Sequence, residues 1–107
     1  LPGVTVPVTL SDVELVDPAP GTLSLAQNYP NPFNPETVIT FTLPQSTPVR
    51  LAIYDMLGRE VKALVEGPLE AGTHRARFDA SGLSSGMYIY RIDNGNTSIS
   101  RKMMLNR

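Results

Sequence analysis

Residues 28–35 read NYPNPFNP, a stretch in which three prolines and three asparagines surround two aromatic side chains. Proline fixes its own φ and lacks the backbone donor that helices and interior strands need. It also pushes the preceding residue toward extended conformations. The stretch therefore predicts a stiff, extended connector whose asparagines bond to nearby backbone. We expect Tyr29 and Phe33 to anchor this connector in a hydrophobic core.

After the connector, apolar and polar residues alternate in short segments, which is the pattern of half-buried β-strands. The predicted strands cover residues 23–25, 37–43, 49–54, 59–65, 73–79, 87–92 and 97–105. About seven short strands without helical periodicity predict an all-β fold, an immunoglobulin-like antiparallel β-sandwich. The likeness is architectural, because the chain has no cysteine and no tryptophan to form the core signature of antibody domains.

Turn residues separate the predicted strands. Residues 55–58, DMLG, are expected to join two strands, with Gly58 able to take a positive φ at little cost. Residues 93–96, DNGN, are typical of a tight hairpin. Residues 44–48 are expected to form a turn, and residues 66–72 a loop.

The first 21 residues differ from the rest of the chain. Their apolar residues alternate, but Pro7 keeps them out of a central strand. Residues 17–21, DPAPG, are typical of a linker, and we expect proteolysis between Asp17 and Thr22. We interpret residues 1–21 as a linker or the tail of a preceding domain, and residues 22–107 as the folded module. The alternative is that the first segment contributes an edge strand to that module.

Composition excludes several classes of function. A net charge of −1 argues against a nucleic-acid partner. The absence of cysteine excludes a disulfide framework and thiol chemistry. No apolar run approaches the roughly 20 residues of a membrane helix, so direct membrane insertion is not expected. Because the sequence begins at Leu1 rather than at a methionine, we expect it to be part of a longer protein.

One motif suggests catalysis at first sight. Residues 82–86, GLSSG, match the nucleophile elbow of serine hydrolases, which needs a following helix and a histidine later in the chain. Here a strand is predicted next, and the only histidine, His74, precedes Ser84. We therefore predict that the module is not an enzyme and that these residues form a loop.

The sequence predicts no cofactor and no metal site. His74, alone and without cysteines, is better explained as a packed core residue on the inward face of a strand. Residues 93–96 lack the acidic spacing of a calcium loop. Asp12, Glu14 and Asp17 could form a weak calcium cluster, but a solvated acidic segment is the favoured interpretation.

Aromatic side chains leave a second kind of function open. They could line a carbohydrate-binding face, although core packing explains them more simply in a chain without tryptophan. The residues concerned are Tyr29, Phe33, Tyr54, Tyr88 and Tyr90.

The last residues, RKMMLNR at 101–107, place basic side chains around an apolar run. A terminal strand needs apolar residues, which gives Met103 and Leu105 a structural explanation. The flanking charges either solvate a sheet edge or suit recognition by an acidic, apolar groove. As the end of an edge strand, residues 102–107 are expected to be dispensable for much of the fold.

Five motifs follow one another along the chain. They are QNYPNPFNP at 27–35, IYDMLGR at 53–59, AGTH at 71–74, LSSGMYIY at 83–90 and KMML at 102–105. Together they closely resemble the C-terminal sorting domain, type A, of the type IX (Por) secretion system, over residues 23–107. The resemblance implies a non-catalytic signal on a secreted protein of a Bacteroidota-like Gram-negative bacterium.

The resemblance also implies partners and a site. Such domains direct an N-terminally fused cargo from the periplasm through an outer-membrane translocon, and in many members a sortase-like protease then removes the domain as the cargo is attached to the cell surface. Translocon recognition would fall on Lys102, Met103, Met104, Leu105 and Arg107. The shorter motifs would supply turns at Gly58, Arg59 and Gly86. The alternative function is an accessory carbohydrate-binding or spacer module of an extracellular hydrolase.

Overall fold

The computed structural model describes the backbone of residues 13–17 and the whole of residues 22–107. Within these residues the chain forms strands, turns and bends, with no helix. The strands are β1 Val13–Asp17, β2 Ser24–Leu25, β3 Glu36–Leu43, β4 Thr47–Tyr54, β5 Glu60–Leu69, β6 Gly72–Asp79, β7 Gly86–Asp93 and β8 Ser98–Leu105.

The strands form two four-stranded antiparallel sheets, ordered β1-β6-β3-β2 and β5-β4-β7-β8. The predicted all-β sandwich is confirmed. Strands β2 to β8 correspond to the predicted strands, and β8 is an edge strand, as expected for the end of the domain.

Strand β1 lies in the segment interpreted as a linker. It pairs antiparallel with β6, with Leu15 opposite His74, and forms the outer edge of its sheet. The alternative interpretation, an edge strand of the module, therefore describes residues 13–17. The domain boundary at residue 22 stays a prediction. Residues 1–12 and 18–21, which include most of the predicted proteolysis site, lie outside the described residues.

The hydrophobic core lies between the sheets and follows the alternation of the strands. In β3 the side chains of Ile39, Phe41 and Leu43 are buried, and the opposite sheet contributes Ile53 and Tyr90. Successive side chains of a strand point to opposite faces, so one row of each strand enters the core. His74 is buried as predicted, and its ring stacks on that of Phe41 with centroids 5.4 Å apart.

Two predicted turns are partly strand. β5 continues to Leu69, through the first half of the loop expected at 66–72, and Gly67 and Pro68 pair with Val49 and Pro48. Strand β4 likewise begins at Thr47, inside the turn expected at 44–48. β5 is an edge strand, where proline is tolerated because one side of the strand needs no donor. Glycine and proline therefore did not mark the end of this strand.

Candidate functional site

Four of the five sequence motifs meet at one end of the sandwich. Tyr54 of β4 pairs with Ile89 of β7, and Ile89 pairs with Lys102 of β8. Gly86 pairs with Leu105. The loop after β4, the start of β7 and the end of β8 are therefore neighbours. The remaining motif, AGTH, lies at the opposite end, where β6 begins.

The proline connector closes this end of the sandwich. The Asn106 N–H donates to the Phe33 carbonyl at 2.9 Å, and the Ala80 N–H donates to the Pro35 carbonyl at 2.9 Å. These bonds join the connector to the last residues of β8 and to the loop after β6. We call this region the tail end; it comprises residues 27–35, 55–59, 80–87 and 102–107.

The residues predicted to be recognised divide into two rows along β8. Met103 and Leu105 point inward and are fully buried, whereas Lys102 and Met104 point outward. Met104 is 37% exposed, and Arg107 beyond the strand is exposed. A partner that meets the folded domain can touch the outward row and Arg107, but not the inward row.

Atoms of the connector and of the preceding Gln27 cover the open edge of β8. The Phe33 N–H donates to the Met104 carbonyl at 3.0 Å, and the Met104 N–H donates to Asn31 Oδ1 at 3.0 Å. Gln27 Nε2 donates to the Lys102 carbonyl at 2.8 Å. Unpaired backbone groups at a sheet edge can pair with other chains. Because the connector already bonds the backbone of Met104, a partner can recognise only the side chain at this position.

The connector is itself held by the core. Its two aromatic side chains differ: Phe33 is buried as predicted, but the predicted anchor Tyr29 is wrong, because that side chain is 81% exposed. The second anchor is Tyr90, whose hydroxyl donates to the Ala26 carbonyl at 2.7 Å and accepts from the Asn28 N–H at 2.8 Å. Burial raises the pKa of the Tyr90 hydroxyl, so it remains a donor at neutral pH.

Asn28 completes this anchor from a buried position. Its Nδ2 donates to Thr37 Oγ1 at 3.0 Å and to the Pro30 carbonyl at 3.1 Å. The bond from Asn28 to the Pro30 carbonyl is the predicted bond to nearby backbone. Asn31 instead accepts from Met104, 73 positions along the chain, which the sequence did not predict.

Arg107 folds back onto the loop before β7. Its N–H donates to Ser85 Oγ at 3.0 Å, and Nη1 donates to the Leu83 carbonyl at 2.6 Å. The Tyr88 hydroxyl donates to the Ser84 carbonyl at 2.7 Å. The GLSSG residues thus form a loop that receives the last residue, and a strand follows them where the hydrolase motif needs a helix.

His74 is remote from that loop. Its Nε2 lies 2.8 Å from the Glu70 carbonyl, near the end of the sandwich opposite to the tail end, and the carbonyl makes Nε2 the donor. His74 is therefore a hydrogen-bonded core residue, as predicted.

One carboxylate, that of Asp55, fixes the conformation of the loop after β4. Asp55 Oδ1 accepts from the Leu57 N–H at 2.9 Å and the Arg59 N–H at 3.0 Å, and Oδ2 accepts from Arg59 Nε at 2.9 Å. These bonds, first among them the one from the Arg59 N–H, lower the pKa of Asp55. Gly58 has a φ of 85°, which a residue with a Cβ adopts at a cost of about 1–2 kcal/mol. The predicted glycine turn is confirmed at this position.

The tip of this loop is apolar. Met56 is 55% exposed and Leu57 is 78% exposed. The carboxylate bonds below them fix the backbone that carries both side chains. The sequence predicted the turn and made residues 55–59 the second candidate for an interaction surface after the end of β8, but it did not predict that the apolar pair is exposed.

A search against protein-family models matches residues 27–106 to the secretion system C-terminal sorting domain. The chain belongs to this family. Such a domain is a sorting signal of the type IX secretion system, in a non-catalytic family. It implies interaction with that system and export from the cell. No curated protein matches the chain closely enough to be counted as a relative.

Outside the tail end, the described residues of the sorting domain form a groove. It measures about 560 Å³ and lies on the outer face of the β5-β4-β7-β8 sheet. Arg50 on this face bonds to Glu60 at 2.7 Å and Glu66 at 2.8 Å, which raises the pKa of its guanidinium. The residues that line the groove are Pro48, Val49, Arg50, Tyr54, Arg91, Asp93, Asn94 and Gly95.

The groove does not make the aromatic platform that a carbohydrate site would use. Tyr88 and Tyr90 are buried, Tyr29 lies on the connector, and only Tyr54 lines the groove. Core packing therefore accounts for most of the aromatic residues, as predicted.

In residues 22–107, no three histidine, aspartate or glutamate side chains lie close enough together to hold a metal ion. The DNGN turn uses its own oxygens: Asp93 Oδ1 accepts from the Gly95 N–H at 2.7 Å, and Asn94 Oδ1 accepts from the Thr97 N–H at 2.8 Å. Asp12 and the side chains of Glu14 and Asp17 lie outside the described residues. The described part of the chain also holds no helix of the length and apolarity that crossing a membrane requires.

Proposed function

We propose that this sorting domain is a non-catalytic C-terminal signal that directs an attached cargo through the type IX outer-membrane translocon and toward attachment at the cell surface. The observation that carries the proposal is the outward row of β8, where Lys102 and Met104 face solvent on a strand whose inward row completes the core. The family match supports the same conclusion.

In this proposal the rows of β8 have separate tasks. Lys102 and Arg107 offer cations, and Met104 offers an apolar side chain that adapts to a partner's surface. Met103 and Leu105 act indirectly, because their burial fixes the strand on which the contacts stand. The partner is a translocon component with an apolar groove and acidic groups.

The remaining steps of the proposal concern the transit of the cargo and its release from the domain. A protein fused before the module crosses the periplasm with it, and a sortase-like protease removes the domain on the N-terminal side of β2. The cargo then stays at the cell surface or outside the cell.

A reporter fused to residues 1–107 tests the proposal in a host that has the type IX machinery and in the same host without its translocon. We expect export only when the translocon is present. The double variant Lys102→Glu, Met104→Asp changes two exposed side chains and should hold the reporter in the periplasm.

The control is Ser100→Asp, an exposed position on the same row of β8. Circular dichroism and thermal melts of each purified module establish that it is folded. Retention of the wild-type fusion, or normal export of the folded double variant, would contradict the proposal.

A further inference from the structure

An apolar strip continues from the outward row of β8 across the sheet. Met87 lies directly opposite Met104, and Ile89 lies opposite Lys102. Directly opposed residues of antiparallel strands lie on the same face, with Cβ atoms about 4.5–5.5 Å apart. Met87 and Ile89 are half-buried, while their neighbour Tyr88 is buried on the other face.

The strip extends to β4 and its loop. Tyr54 is opposite Ile89 and half-buried, so Tyr54, Ile89 and Lys102 form one row across three strands. Neighbouring strands are about 4.8 Å apart, so this row spans about 10 Å. Met56 and Leu57 follow Tyr54 at the edge of the sheet and, within residues 22–107, are the most exposed large apolar side chains outside the connector.

The loop tip is displayed in a fixed conformation. Scattered exposed apolar residues are ordinary on protein surfaces. Here, however, Asp55 holds the backbone beneath the tip with bonds of 2.9–3.0 Å. A fixed apolar tip loses little conformational entropy on binding, which favours association.

Basic side chains border the strip on both sides. Lys102 is exposed at its β8 margin, and the Arg59 side chain, although paired with Asp55, is 74% exposed beside the loop tip. A protein surface that is apolar at its centre and carries carboxylates near its margin matches this arrangement. Methionine at two positions of the strip suits an adaptable interface.

We propose that the translocon component that reads the outward row of β8 contacts this whole strip, from Lys102 and Met104 through Met87 and Ile89 to the Met56–Leu57 tip. This inference rests on the proposed function. Met104 belongs both to the outward row and to the strip, so one receptor surface that engages the row also reaches the strip.

Export of the reporter fusion tests the strip separately from the row. The variant Met56→Gln, Leu57→Gln leaves β8 and Asp55 unchanged. We expect it to fold like the wild type and to reduce export by about tenfold or more, because both contacts are lost. Ile89→Lys, on β7, should reduce export in the same way.

Tyr29→Gln is the matched control. It also removes a large exposed side chain at the tail end, but from the connector, which pairs with β3 of the other sheet. We expect this variant to be exported like the wild type. Thermal melts of all variants show whether each module remains folded.

The outcomes separate this inference from the proposed function. If β8 variants abolish export while the folded loop variant is exported normally, the receptor contacts the outward row alone and the inference about the strip is wrong. If the wild-type fusion is never exported, the proposed function fails first. Sedimentation measures the oligomeric state; a wild-type dimer that the loop variant dissociates would make the strip a contact between copies and overturn the inference.

Discussion

The inward and outward rows of β8 lie on one strand but have different surroundings. Met103 and Leu105 are enclosed by the core, while Lys102 and Met104 face solvent. Under the proposed function, the motif KMML combines folding and recognition at alternate positions, since successive side chains point to opposite faces. Under the same proposal, we expect loss of export after a change in the inward row to reflect lost folding, and the same loss after a change in the outward row to reflect lost recognition.

Removing both rows is expected to have the largest effect. A module ending at Arg101 lacks two buried side chains, each worth about 2–5 kcal/mol. Their combined loss of about 4–10 kcal/mol is comparable to the whole stability of a typical domain, about 5–15 kcal/mol. We expect no cooperative thermal transition by circular dichroism.

This reverses the expectation drawn from the sequence, that residues 102–107 are dispensable for much of the fold. The deletion would also remove the bonds of Met104 and Asn106 to Phe33. A cooperative melt of the shortened module close to that of the wild type would show that the inward row contributes little.

Leu105→Ala tests the inward row alone. The side chain is fully buried, so its truncation is expected to lower the free energy of unfolding by about 2–5 kcal/mol. Leu57→Ala is the matched control, with the same chemistry at an exposed site and an expected change within about 0.5 kcal/mol. Urea denaturation measures both; equal effects would mean that the two positions are not distinguished by burial.

The sequence predicts well which side chains of each strand face the core, but not which segments cover the strand edges. Strict alternation identifies the face of each residue, so the burial of Phe41, Ile53 and His74 follows from the pattern. Alternation cannot say which distant segment lies against a strand edge. The bonds of Gln27 and Asn31 to β8 join residues more than 70 positions apart, and no local signal marks them.

The error at Tyr29 has the same origin. Both aromatic residues of the connector looked equivalent, because each of them is next to a proline. The difference arises from tertiary pairing: Phe33 forms a bridge with Leu105, while Tyr29 forms a bridge with Val38 and leaves its ring in solvent. Propensity predicts an extended connector, but only the packed sheets decide which side chain enters the core.

Tyr90→Phe tests whether the connector, which covers the edge of β8, depends on the core. The variant keeps the ring but removes the hydroxyl that bonds to both Ala26 and Asn28. An unsatisfied buried group costs about 1–3 kcal/mol, which is the expected loss in the free energy of unfolding. Tyr29→Phe, at an exposed ring, should change it by less than about 0.5 kcal/mol. If denaturant melts show no difference between the two variants, the Tyr90 hydroxyl does not anchor the connector.

Met104→Ala is expected to have the smallest effect on stability and sharpens the comparison most. Its side chain is partly exposed, and its connector bonds use backbone atoms that alanine retains. The free energy of unfolding should therefore change by less than about 0.5 kcal/mol. Export of a fused reporter should nevertheless fall, because an apolar contact of the proposed receptor is removed. A denaturant melt and an export assay on the same variant give the two values. Stability lost in proportion to export would mean that Met104, like its inward neighbours, acts through the fold, and that the two rows of β8 do not divide folding from recognition.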